Sequence, residues 1–174
     1  DIPEGFSPRI IELARQIAGD EETAYDKTMA ITQYLRHTIT YSVSIEKPPN
    51  NREPLEWFLF DQRAGFCNYY ATAEVMMLRS LGVPARLVVG YAEGTFDPER
   101  KEYVILAKDS HAWPEVYFPG LGWIAFEPTV SQPLNGFLSG DKPRAPCRLG
   151  QADLTKASAE AICKPDPVTA PSPV

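Results

Sequence analysis

The chain has 174 residues, a net charge of −6 and 44% apolar side chains, which suits one domain with its own core plus an appended segment. Its acidic balance, with basic residues scattered rather than clustered, excludes a nucleic-acid surface. No run of about 18 apolar residues occurs and no charged-then-apolar leader opens the chain, so this stretch is expected to make no membrane contact itself; the start at Asp1 rather than Met reads as a domain excised from a longer parent.

Ser7-Pro8 is an N-cap followed by proline at the first helical position. Ile10, Leu13, Ala14, Ile17 and Ala18 then recur at helical spacing, and Gly19 stops the run. A second helix is expected from about Asp20, with Glu21 and Glu22 favourable in its first turn. Ala24, Thr28, Ile31 and Leu35 share one of its faces, and Arg36 and His37 complement its C-terminal dipole. Residues 41–45 read as a short strand, 47–51 as a loop, 55–60 as a short apolar helical turn and 63–65 as a tight turn.

Residues 67–81 are helical in character and apolar on most faces, so this helix is expected to be buried, with Gly82 as its stop. Strands are expected at 86–91, 103–107, 111–118 and 123–126, with turns at 94–98 and 119–122. Helices first and antiparallel strands second make an α+β fold. The domain is expected to cover 1–132, with the most informative residues in 55–129. Over 133–174 prolines recur, aromatics nearly vanish and periodicity is lost, the composition of a linker or tail.

Cys67 carries the chemistry. A thiol reacts as thiolate, and a helix N-terminus stabilises negative charge through unpaired backbone N–H groups. A neighbouring imidazole that can accept the proton helps further. The chain has two histidines. His37 suits a helix end, whereas His111 lies in a strand-like run that fixes the direction of its ring. Glu127 is the acid expected to accept a hydrogen bond from that ring, fixing its tautomer and stabilising the imidazolium. Asp109 and Glu115 compete for this role, but they project from the same strand and diverge from the imidazole. No CxxC, HxH or HExxH is present, so no metal is called for, and the lack of CxxC also disfavours a redox thiol. No glycine-rich phosphate loop occurs, so no nucleotide or other cofactor is expected. Cys147 and Cys163 lie in the tail. A disulfide between them would leave Cys67 free in an oxidising compartment; unpaired thiols in a flexible segment are the other reading.

Four elements occur in order: Gly65-Phe66-Cys67-Asn68-Tyr69-Tyr70-Ala71, Leu81-Gly82-Val83-Pro84-Ala85-Arg86, His111-Ala112-Trp113-Pro114-Glu115-Val116 and Gly122-Trp123-Ile124-Ala125-Phe126-Glu127-Pro128-Thr129. This series resembles the transglutaminase-like superfamily, and within it the bacterial membrane-anchored members. The resemblance implies a papain-like α+β core, with the nucleophile at the N-terminus of a buried helix and the histidine and acid on an antiparallel sheet. It implies a Cys67–His111–Glu127 triad, although many relatives carry aspartate where this chain has Glu127. The implied activity is acyl transfer through a thioester on glutamine carboxamide or peptide groups, with amine or water as acceptor and a protein or peptide as substrate. A catalytically silent binding or assembly module is the alternative, because some members have lost triad residues. The backbone N–H of Cys67 is a plausible oxyanion donor. Relatives add a side-chain donor upstream, for which Tyr41 and Trp57 are the candidates. The resemblance also implies a position outside the cytoplasmic membrane, within a membrane-anchored parent.

Overall fold

The computed structural model describes residues 2–133, a mixed unit in which helices precede an antiparallel sheet. Helix α1 (Pro8–Ala18) starts where expected, with the Ser7 hydroxyl accepting the Ile10 amide, and it buries Ile10, Ala14 and Ala18. Helix α2 (Ala24–Thr38) starts later than the acidic residues suggest. Thr23 is its N-cap, accepting from the Asp26 amide at 3.0 Å while its hydroxyl donates to the Asp26 carboxylate at 2.5 Å. This reciprocal cap outweighs the dipole preference of Glu21 and Glu22, which stay outside the helix. Thr28, Ile31, Thr32 and Leu35 form its buried face.

The strand expected at 41–45 is only β1 (Thr40–Tyr41). Its partner comes from the segment read as a tight turn. After α3 (Pro54–Glu56) and a π-helical turn (Trp57–Gln62), Arg63 alone adopts a left-handed conformation, φ 50°. The chain then straightens into β2 (Ala64–Gly65), which pairs parallel with β1, Tyr41 opposite Gly65. Thr40 N–H donates to Arg63 O at 2.9 Å and Ser42 N–H to Gly65 O at 2.8 Å. Among the described residues nothing faces 43–45, so their apolar character does not produce a strand.

Helix α4 (Cys67–Ser80) begins immediately after this bridge and is the centre of the fold. It packs against α1 and α2 and against the sheet formed by β3 (Ala85–Tyr91), β6 (Ser110–Phe118) and β7 (Gly122–Ala125), in the order β3-β6-β7. Ile10, Ile31, Leu35, Met77 and Leu78 are fully inaccessible at these contacts; each such side chain contributes roughly 1.5–3 kcal/mol of burial.

Between β3 and β6 a small hairpin intervenes, β4 (Thr95–Asp97) and β5 (Glu102–Val104). It corrects the turn expected at 94–98, of which 95–97 are strand. The reversal lies at 98–101, where Asp97 Oδ1 accepts the amides of Glu99 (2.9 Å) and Arg100 (3.1 Å) and Lys101 takes φ 56°. The strand expected through Ala107 gives way to a 3-10 turn, Ala107–Asp109, because the Asp109 carboxylate captures the Leu106 amide at 2.7 Å. Cys147, Cys163 and the proline-rich stretch from residue 134 lie outside the described residues.

Candidate active site

Topology brings three distant sequence positions to one end of the sheet. The connection from Ser80 to Ala85 is short, so β3 runs back along α4. Ala85 lies opposite Val116 and Tyr91 opposite Ser110, so β6 starts at the end where β3 stops. Helix α4 rises about 20 Å between Cys67 and Ser80, and β6 covers about 17 Å between His111 and Val116. Cys67 and His111 therefore arrive at the same end. Strand β7 turns back on β6, pairing Gly122 with Phe118 and Ala125 with Glu115, and Phe126 N–H still donates to Pro114 O at 3.0 Å. The chain thus delivers Glu127 to that end too, just past the strand rather than within it.

His111 and Glu127 meet in the interior, 8% and 4% exposed. His111 Nε2 lies 2.5 Å from Glu127 Oε2, and the Thr129 N–H donates to Glu127 Oε1 at 2.8 Å. A carboxylate accepts and does not donate, so Nε2 carries the proton and a neutral ring leaves Nδ1 as a free acceptor. Trp113 stacks on the imidazole with centroids 5.9 Å apart and planes 21° from parallel. Gly90, paired with His111 across the ladder, leaves room for that indole; a Cβ there would lie 2.9 Å from the ring of Trp113. The competing acids are occupied elsewhere. Asp109 holds the Leu106 amide, and Glu115 pairs with Arg86 at 2.6 Å.

Cys67 is the first residue of α4 and is half-buried, its thiol 3.7 Å from Asn68 Oδ1. No side chain caps this helix, so the dipole's positive end is left to act on whatever negative charge forms at Cys67. Tyr41 is 38% exposed and sits opposite Gly65, on the approach to Cys67. Trp57 is only 7% exposed and belongs to the core. The aromatics around the helix start divide likewise. Phe58 and Tyr70 are inaccessible, and the Tyr70 hydroxyl donates to Ile39 O at 2.7 Å, burial pushing its pKa up to about 12.

Two residues near the acid escaped sequence reasoning. Arg36, read as a partner for the helix dipole, instead holds the segment that follows β7. Its Nη1 donates to Glu127 O (3.0 Å) and Thr129 O (2.8 Å), and its Nη2 to Gln132 O (3.1 Å). Burial lowers its pKa, and the charges of Glu127, Tyr70 and Glu74 oppose that shift. Glu74 is fully buried on α4; Thr32 donates to its Oε1 at 2.7 Å, while Oε2 has no hydrogen-bond partner among the described residues. Burial pushes its carboxyl up to about 8, the Thr32 hydrogen bond opposing and Glu127 adding to the rise. A carboxylate seven positions from Cys67, on the same stripe of an otherwise apolar helix, was the available signal. Among the described residues no group of three or more His, Cys, Asp or Glu side chains is placed to hold a metal ion.

Comparison with known proteins agrees with this architecture. Residues 11–128 match the model of the transglutaminase-like superfamily. The chain is 34% identical over 134 residues to YebA of Bacillus subtilis, an uncharacterized protein, covering 74% of this chain and 18% of YebA. It is 31% identical over 147 residues to a protein-glutamine gamma-glutamyltransferase of Pseudomonas aeruginosa, covering 80% of this chain and 22% of that protein. Among solved structures, the periplasmic domain of TgpA from P. aeruginosa bound to ethylmercury superposes with a TM-score of 0.65 at 32% identity, over 74% of this chain and 46% of that one. The chain thus spans about a fifth of the length of these curated relatives. With the family model covering most of the described residues and the fold shared, this chain belongs to the transglutaminase-like superfamily.

Proposed function

We propose that this domain is a cysteine-dependent acyltransferase or hydrolase acting on protein or peptide substrates, with Cys67 as nucleophile, His111 as acid–base and Glu127 as orienting acid. The observation that carries the reading is the 2.5 Å contact between His111 Nε2 and Glu127 Oε2, which leaves Nδ1 as the acceptor at the end of the sheet where α4 begins. Cys67 gives its proton to His111 and its sulfur attacks the carbonyl carbon of a glutamine side-chain amide or a peptide bond. The tetrahedral oxyanion is met by the backbone N–H of Cys67 and by the Tyr41 hydroxyl. His111 returns the proton to the departing nitrogen, the C–N bond breaks, and a thioester remains. An amine or a water then attacks the thioester, giving its proton to His111, and the thiol is restored as the new amide or free acid leaves.

The relative named as a protein-glutamine gamma-glutamyltransferase supports the glutamine amide as acyl donor. The likeness to a periplasmic domain supports a position outside the cytoplasmic membrane; that the parent is membrane-anchored is part of the same proposal. The test is the pH–rate profile of iodoacetamide alkylation at Cys67, followed by amine incorporation into a glutamine-containing protein scored against release of ammonia or peptide cleavage. Alkylation that stays fast below neutral pH and collapses in His111→Ala is the expected result. A thiol that reacts alike in both proteins removes the catalytic reading and leaves a binding module in its place.

A further inference from the structure

We infer that Arg36 is a positioning residue for Glu127, clamping the backbone of 127–132 so that the carboxylate is presented to His111. The inference rests on the reading of Cys67, His111 and Glu127 given above. Beyond the Phe126–Pro114 hydrogen bond this segment has no sheet partner among the described residues, and Pro128 has no N–H with which to make one. Its carbonyls therefore need donors from elsewhere. The Arg36 guanidinium supplies them, reaching residues 91 to 96 positions away in the chain and holding the carbonyls of Glu127, Thr129 and Gln132.

The choice of acceptors matters. Arg36 bonds carbonyl oxygens and leaves both carboxylate oxygens of Glu127 to His111 and the Thr129 amide. The guanidinium thus holds the backbone without competing for the lone pairs that the ring and the Thr129 amide use. Glu127 is also a longer side chain than aspartate, with one more torsion to fix. Arg36 anchors it at the backbone end and Thr129 N–H anchors it at Oε1, so the remaining oxygen is directed at the ring. Lysine carries a similar charge but lacks the planar fork that spans three carbonyls.

A double-mutant cycle in the 174-residue chain tests this. The proteins are wild type, Arg36→Lys, Glu127→Gln and the pair, each with the pH–rate profile of Cys67 alkylation and a thermal melt. Arg36→Lys is expected to slow the His111-dependent limb about tenfold, and the pair to be no slower than Glu127→Gln alone, because Arg36 acts through that acid. An arginine serving the fold only would lower the melting temperature and multiply the two effects. Multiplicative effects, or an unchanged profile in a folded Arg36→Lys protein, overturn the inference. If Arg36→Lys does not fold, Arg36→Gln takes its place in the cycle. Should wild-type alkylation not depend on His111, the catalytic reading fails, and the positioning role is read instead from the NMR resonance of the His111 Nε2 proton. Its loss to solvent exchange in the Arg36 variant supports the clamp, and its retention overturns it.

Discussion

Glu127 serves His111 with one carboxylate oxygen and the Thr129 amide with the other, at 2.5 and 2.8 Å. Both contacts require an acceptor. Glu127→Gln offers one acceptor and one amide NH2, so it either sets a donor against a donor at one of the two contacts or turns the ring to the tautomer that carries its proton on Nδ1, leaving no acceptor for the thiol. The rate constant kcat/KM for amide or peptide substrates is expected to fall about 100-fold, within the range for a disabled acid–base. Glu127→Asp keeps two acceptors and loses a methylene of reach, and a smaller loss is expected. Equal activity of Glu127→Gln and wild type would remove the orienting role.

Burial holds the Glu74 carboxyl protonated up to about pH 8, whereas an unfolded glutamate releases its proton near about 4.3. Between these values the folded state binds more protons than the unfolded one, so stability is full at low pH and falls as pH rises. The slope contributed is up to about 1.4 kcal/mol per pH unit. Glu74→Gln keeps the shape without the titration. Its melting temperature should vary less than that of wild type between about pH 5 and 8, and exceed it at the alkaline end. Parallel curves for the two proteins would show that Glu74 does not titrate in this window.

Two glycines separate packing from site geometry. A Cβ at Gly65 would meet the buried ring of Phe58 at 2.8 Å, and Gly65→Ala is expected to cost about 1–3 kcal/mol of stability. At Gly90 the obstacle is the far edge of the Trp113 indole, which can swing aside. Gly90→Ala should leave the melting temperature nearly unchanged while displacing the ring stacked on His111. Its signature is reduced kcat in a protein of normal stability.

Tyr41 and Trp57 part company by the same comparison. Tyr41→Phe removes only a hydroxyl from a partly exposed side chain beside Gly65. If that hydroxyl meets the oxyanion, kcat falls by about 100-fold or more with KM little changed. Trp57→Phe shrinks a core side chain, so its main effect is expected on the melting temperature. An active Tyr41→Phe protein would leave the Cys67 backbone N–H as the oxyanion donor.

Local signals in the sequence were enough to place α1, α4, β3, β6 and β7, because their caps, stops and periodicity agree with what they pack against. Residues whose role depends on a remote partner were harder to read. Residues 40–41 form a strand only because 64–65 lies beside them, and 43–45 fail to form one for want of a neighbour. Asp97 and Asp109 redirected their segments through side-chain hydrogen bonds that composition does not reveal. The turn expected at 119–122 is the one that folds β7 back on β6 and so brings Glu127 to His111. The reach of Arg36 was not, since a basic residue at a helix end already has a sufficient local explanation.

The last turn of α2 and the residues after it hold both sides of the site. Arg36 grips the segment that bears the acid, and Thr40 to Ser42 grip the segment that leads into Cys67. One residue inserted between these two grips would swing them apart by about 100°, the angular step of a helix, and part the acid from the thiol. Residues 43–52 leave the chain only after both attachments are made. Beyond those attachments the loop is tied back by Arg52, whose guanidinium pairs with Asp61 in the segment leading to Cys67, so a change of length before Arg52 need not move the nucleophile, ring and acid.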